Sequence, residues 1–383
     1  MPLLLPLLLA AGGAFASDPA PPPHCYTTPY MGLFAQEAGH SLAPGVRQHP
    51  AFGALVPWPA VHARLAECGQ ACRLLLLIRH GEATSNVVQA RVGPAKWVAS
   101  VGRKCTYRDV ALWDAPLTPA GARQAGALAE ALAEGPVRTA DLLGESSATP
   151  RAVSSPLRRC LNTTVLALGG GAVPPAAFAV SELARERWGI NTCDGRHPVD
   201  RAGASGGDGE FAPADREADS DGDEALSTHP NRPPCTVDTG LRDLFGPDAF
   251  GGWPVVGDLV PPLPDEEADG DAAPAASTCR PPPAFGLVSE RDTLWTVRSR
   301  ETPAHVRARA KTFLDAVWAE TADAGRAGRA LFAVSHSGFI QYLLEAVGRE
   351  LYRAANAEVV PVLVRRGVGR ECEEEEGEWV REE

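Results

Sequence analysis

Two five-residue apolar runs, 74–78 and 330–334, break abruptly into polar residues. The first runs into Arg79-His80-Gly81-Glu82 and the second into Ser335-His336-Ser337-Gly338. A shorter stretch, 151–154, stops at Ser155-Pro156. Such short runs, punctuated by turn residues, predict buried strands; for 74–78 a buried helix turn has the same pattern. Helical spacing predicts helices over 61–72, from Thr118-Pro119 to about Gly135, and over 157–168, the last stopped by Gly169-Gly170-Gly171. Thr118 is a good N-cap and Pro119 suits the first helical position; Thr302-Pro303 repeats that signal before a long helix. A further helix follows Gly338. Residues 359–364 predict another strand, which Pro361 confines to an edge. The stretch 87–113, with Trp97, Tyr107 and Trp113, reads as a long connection, and 17–60 as an irregular arm. Strands alternating with helices predict an α/β fold with a mostly parallel sheet and right-handed crossovers.

Composition adds boundaries. Residues 199–240 and 257–283 are dense in Asp, Glu, Gly, Ala and Pro, with few large apolar residues. Such segments cannot bury enough surface to offset ordering entropy, so they read as acidic, largely disordered insertions. The tail 366–383 reads as a solvated acidic run. The 383-residue chain has room for one large domain or two. Its net charge of −12 argues against nucleic acid as a partner. A local Arg cluster can still receive a small anionic substrate. The first 16 residues resemble a signal peptide, with Ala14-Phe15-Ala16 at the cleavage position, although no basic residue precedes the apolar run. The run is shorter than the roughly 20 residues a membrane span needs, and no other stretch qualifies. The expectation is the secretory pathway or the extracellular space, with an organelle or the cytoplasm as the alternative. An odd count of 9 Cys leaves at least one unpaired or intermolecular. Cys68 and Cys72 read as packed thiols or one local disulfide, and no zinc-site spacing is present.

Three strand-to-helix junctions carry the chemistry: Arg79-His80, Ser155 to Arg159, and Ser335-His336. A parallel sheet places all three at the carboxyl ends of its strands, where ligands bind in open α/β sheets. Arg presents a planar fork of donors matched to phosphate oxygens. A neutral imidazole can attack phosphorus, and helix N-termini at that edge favour anions.

The motifs Arg79-His80-Gly81-Glu82-x-x-x-Asn86, Asp114-x-Pro116-Leu117-Thr118-x-x-Gly121-x-x-Gln124, Ser155-Pro156-Leu157-x-Arg159-x-x-x-Thr163 and Val334-Ser335-His336-x-Gly338 occur in that order. Together they resemble the histidine phosphatase superfamily in its phosphoglycerate mutase-like branch. The stretch Arg185-Glu186-Arg187-x-Gly189-x-x-x-Cys193-Asp194-x-Arg196 is similar to the plant and fungal mutase-like proteins, as are Asp292-x-Leu294-Trp295 and Arg300-Glu301-Thr302. The resemblance implies a three-layer sandwich and a histidine phosphatase domain over 61–365. It implies His80 as the nucleophile, with Arg79, Arg159, His336 and Asn86 around the phosphate. Arg158 competes with Arg159. Glu186 is the expected proton donor, because like-charge repulsion from a bound phosphate lets a nearby carboxyl keep its proton. Glu182 could share a helix face with Glu186 and competes for that role. Asp194 and Arg196 read as orienting residues or a loop ion pair. Glu82 reads as a loop or capping residue, and Trp97, Trp113 and Trp188 as core or pocket wall.

No metal or other cofactor is expected, since protein cations serve the phosphate. The expected partner is a small phosphorylated substrate, with no reading of oligomeric state. The implied activity is phosphomonoester hydrolysis through a phosphohistidine. The alternatives are mutase-type transfer and a non-catalytic phospholigand binder. The step from Glu186 to Gly189 is one residue shorter than in the mutases, which favours hydrolysis. The acid-phosphatase branch fits worse, because Ala83 and Ser85 stand where its Arg and Pro would be.

Overall fold

The computed structural model describes residues 24–39, 42, 48–144, 151–169, 178–199, 286–322, 329–368 and 372. The signal-like segment, nearly all of both acidic insertions and most of the tail lie outside the described residues.

The strands are β1 (His24–Thr27), β2 (Cys72–Arg79), β3 (Thr106–Tyr107), β4 (Val110–Ala111), β5 (Arg151–Ser154), β6 (Phe178–Val180), β7 (Ala330–Ser335) and β8 (Val359–Val368). The α-helices are α1 (Trp58–Glu67), α2 (Thr84–Val92), α3 (Pro94–Ala99), α4 (Pro119–Glu134), α5 (Thr139–Leu143), α6 (Arg158–Leu168), α7 (Pro303–Glu320) and α8 (Ser337–Ala346). Six strands form one sheet in the order β1-β8-β2-β7-β5-β6. The four from β2 to β6 run parallel; β8 is antiparallel to both β2 and β1.

The unbroken apolar run of β2 follows from burial on both faces. Leu74, Leu76 and Ile78 enter one core with residues of α1, α4 and α6. Leu75 and Leu77 enter the other, with residues of α7 and α8. Side chains alternate along a strand, so a two-faced core demands apolar residues at every position. The result is the expected three-layer α/β sandwich. Its helices start as their sequences dictate: Thr118 Oγ1 accepts from Gly121 N at 3.0 Å, and Thr302 Oγ1 from His305 N at 3.2 Å.

Four stretches differ from expectation. The first is the segment 17–60, where residues of the supposed arm enter the fold. His24–Thr27 pairs with 365–368, and a disulfide joins Cys25 to Cys372. Strand β8 accordingly runs through residues 366–368, which composition assigned to the tail. An exposed edge strand can be completed by any segment with matching backbone groups, so burial pattern alone did not reveal β1. The second is 87–113, which folds into the end of α2, all of α3 and the β3–β4 ribbon. The third is β6, which adds a short parallel strand beyond β5. In the fourth, Glu182 and Glu186 share no helix: a 3₁₀ turn, Glu182–Ala184, gives way to extended backbone at Arg185. The edge reading of Pro361 holds only locally, because β8 as a whole lies between β1 and β2. β1 covers only the far half of β8, and Val359 N, two residues earlier on the same side, donates to Gln48 Oε1. The missing N–H of Pro361 therefore lies on the side that needs no strand partner. Cys68 and Cys72 form a local disulfide.

Candidate active site

Adjacent parallel strands bring the two histidines together. Arg79 is in register with Ser335, so His80 and His336 follow side by side. Their ring centroids are 5.1 Å apart. Arg159, in the first turn of α6, completes the cluster. Its Nε donates to His80 Nε2 at 3.2 Å and to His336 Nδ1 at 3.3 Å. Asp194 anchors the same guanidinium at 3.2 Å, and the Cys193 carbonyl accepts from it at 2.5 Å. Arg158 instead caps the Asp114 carboxylate through its backbone N–H and does not line the cavity below. Of these two arginines, only Arg159 reaches the histidines.

The tautomers follow from the partners. A carbonyl oxygen only accepts, so His80 Nδ1, 2.6 Å from Gly81 O, carries the proton and Nε2 keeps its lone pair. His336 Nδ1 accepts from Arg159, which leaves Nε2–H to donate to Ser155 Oγ at 2.9 Å. Burial, then the positive charges of Arg159 and Arg79, hold His80 well below the ordinary imidazole range. Burial, then Arg159, do the same for His336. Both rings are therefore neutral at pH 7.

These groups border a cavity of about 480 Å³. Arg79, His80, Asn86, Arg159 and Glu186 line it; His336 sits just behind, fully buried. Arg79 donates through NH1 to Ala354 O at 2.9 Å, while its buried Nε has no hydrogen-bond partner among the described residues. Asn86 Oδ1 accepts from Ala83 N at 2.9 Å, leaving its amide nitrogen as the donor. Glu186 is fixed from two sides: Oε1 accepts from Arg187 N at 3.0 Å and Oε2 from Gly338 N at 3.1 Å. A Cβ at residue 338 would lie 2.1 Å from Glu186 Oε1, so glycine is what admits the carboxylate there. Gly121 has an equivalent reason, since its Cβ would meet Glu82 O at 2.1 Å, against the loop that carries His80.

Glu182 is placed elsewhere. It is fully buried, 3.1 Å from Arg185 NH1 and 2.9 Å from Arg196 Nε. Asp194 bridges Arg159 and Arg300, whereas Arg196 ties down backbone carbonyls of 289–291. Glu82 accepts from Thr118 Oγ1, a loop contact. Trp97 is on the cavity wall; Trp113 packs on Trp295, and Trp188 lies under Arg309.

Sequence reasoning did not assign roles to Arg187, Arg300, Arg353 or Asn356. The first three line the cavity, and Asn356 Nδ2 donates to His80 O at 3.0 Å. Arg187 and Arg300 stood within motifs already recognised; Arg353 and Asn356 sit in a loop with no periodicity to flag it.

Residues 75–179 match the family model for the histidine phosphatase superfamily, branch 1. No curated protein matches the chain. Similar solved structures include a mycobacterial glucosyl-3-phosphoglycerate phosphatase, at 18% identity over 72% of this chain and 79% of that one, TM-score 0.30. A phosphoserine phosphatase mutant from Entamoeba histolytica has 16% identity over 76% and 94%, TM-score 0.30. Phosphoglycerate mutase from Bacillus anthracis has 14% over 79% and 94%, TM-score 0.36. At such scores none of these likenesses bears on the substrate. The family match spans most of β2, all of α6 and the loops that set His80 and Arg159 in place, and over that stretch the chain is similar to the histidine phosphatase superfamily, branch 1.

Proposed function

We propose that this protein hydrolyses phosphomonoesters through a phosphohistidine on His80. The observation that carries the reading is the neutral His80 ring, its Nε2 lone pair facing Arg159 at the cavity wall. The Nε2 lone pair attacks phosphorus as the ester oxygen departs, and Glu186 delivers the proton that oxygen needs. Water then attacks the phosphohistidine, giving its proton to Glu186 and releasing inorganic phosphate. Arg79 and Arg159, with the Asn86 amide and His336, stabilise charge on the transferring group.

The wall carries five guanidinium groups, Arg79, Arg159, Arg187, Arg300 and Arg353, against the carboxyl groups of Glu186 and Asp194. That surplus favours a small, strongly anionic phosphate ester. The disulfides Cys25–Cys372 and Cys68–Cys72 support the secretory reading, because such bonds persist in oxidising compartments. The test is a panel of phosphomonoesters without added divalent metal, scoring free phosphate against isomerised product. Phosphate release is expected from wild type and not from His80→Ala. Isomerisation without release would reassign the activity to a mutase.

A further inference from the structure

We infer that Glu358 is a positioning residue for the phosphate cradle, acting through the loop 352–357; the inference rests on the phosphatase reading. Strand β2 ends at Arg79, and from there the catalytic backbone leans on that loop. Ala357 N donates to Arg79 O at 2.9 Å, and Arg79 N to Glu358 O at 3.2 Å. Asn356 Nδ2 donates to His80 O at 3.0 Å, and Ala354 O receives the Arg79 guanidinium at 2.9 Å. The loop has no helix or strand of its own, and Ala357 is held at φ 59°, a conformation that costs a side-chain-bearing residue energy.

The Glu358 carboxyl holds this loop in shape. Oε1 accepts from Tyr352 OH and Oε2 from Ala355 N, each at 2.6 Å. Glu358 and Tyr352 are both fully buried, and Glu358 is not on the cavity wall. Its influence on phosphate therefore passes through Ala354, Asn356 and Ala357. A second link is electrostatic. Burial lowers the Arg79 pKa from its ordinary value, and the charges of Glu186 and Glu358 work against that loss.

Glu358→Gln separates this role from bulk packing. With its oxygen on Tyr352 the amide sets its NH₂ against the Ala355 N–H, and with its oxygen on Ala355 N the Tyr352 hydroxyl must accept where it donated; in both orientations the negative charge near Arg79 is lost. Full-length wild type, Glu358→Gln, Tyr352→Phe and Leu128→Ala are compared by calorimetric titration with inorganic phosphate and by kinetics on 4-nitrophenyl phosphate. Leu128→Ala removes core volume on the opposite face of the sheet and serves as the stability control. Glu358→Gln is expected to weaken phosphate binding about tenfold or more, with a matching loss in kcat/KM. Tyr352→Phe should lose less, in the same direction, and decides the matter if Glu358→Gln does not fold. Leu128→Ala should lower Tm and leave phosphate binding unchanged. Glu358→Gln, or Tyr352→Phe in its place, binding phosphate like wild type would overturn the inference, as would a loss equal to that of Leu128→Ala. A wild type that binds phosphate without hydrolysing esters would defeat the phosphatase reading alone, since the titration still judges Glu358.

Discussion

The sheet and the segments that close over its carboxyl edge are held together by different forces. In β2, β7 and β8, alternate residues enter two apolar cores, and each strand is specified by its own few residues. Segments 182–199 and 286–302 contain little regular structure and are pinned by buried charge. Arg185 lies 3.1 Å from Glu182 and 2.8 Å from Asp292, and Arg309 is 2.7 Å from Glu301. Arg309 also donates to the carbonyls of Leu183 and Arg185 at 2.7 and 2.9 Å, next to Glu186. The sheet thus places His80 by hydrophobic burial, whereas the closing segments place Glu186 by ion pairs and carbonyl contacts. An apolar contact weakens gradually when trimmed. A buried ion pair that loses one partner leaves a charge with nothing to offset its desolvation.

The largest expected effect is at the strand end. His80→Ala should cut phosphate release by about 10⁴-fold or more, because no other group at the site takes its covalent role. Next comes the contrast between regions. Asp292→Ala, which takes from Arg185 the closer of its two carboxylate partners and from the backbone N–H groups of Arg196, Leu294 and Trp295 their acceptor, should cost about 3–5 kcal/mol in urea unfolding. Leu77→Ala in the sheet should cost about 2–5 kcal/mol. Asp292→Ala should also depress activity at temperatures where the fold is intact, whereas Leu77→Ala should not. Equal loss of activity at matched stability would erase the distinction.

Glu186→Gln should lower turnover of an alkyl phosphate by about 10²-fold or more. The loss should be much smaller with 4-nitrophenyl phosphate, whose leaving group needs no proton. Similar losses on both substrates would remove Glu186 from the proton-donor role.

Acid separates the regions again. Burial pushes the Asp292 carboxyl up, but Arg185 and Arg196 outweigh it and bring it down to about 2. A carboxyl depressed on folding contributes stability above its unfolded value of about 3.9, and that contribution fades as pH falls toward about 2. Asp292→Asn should flatten the stability profile over that interval. The His80 imidazole, held below its ordinary range, must be neutral to attack. Its protonation should therefore cut kcat/KM only well below about pH 6.5. The smallest effect is expected from deleting 203–232, a stretch too acidic and too poor in apolar residues to build a core. Tm and basal activity should be unchanged, and a large fall in Tm would make that stretch part of the fold.

The same contrast explains what the sequence disclosed. Strands 74–78 and 330–334, and the histidines that follow them, were legible because apolar pattern and polar punctuation are local. Arg159 over Arg158 followed from motif spacing, and the structure gives the physical reason in its bonds to both rings. Placing Glu186 at the cavity and Glu182 in an ion network needed three dimensions, since both are acids in one short charged stretch. Strand β1, Asn356 and Glu358 were not legible at all. Strand β1 and Asn356 meet residues hundreds of positions away, and Glu358 braces a loop whose targets, Arg79 and His80, are as distant; no local period marks such contacts.

The most direct test of the account is a chemical trap of the enzyme during turnover. Wild type and His80→Ala are mixed with a ³²P-labelled phosphomonoester, quenched in alkali, and digested for peptide mapping. Covalent label that survives alkali, is lost in acid, and maps to the peptide containing His80 is the predicted result, absent from His80→Ala. Label on another residue, or hydrolysis by His80→Ala at the wild-type rate, would contradict it.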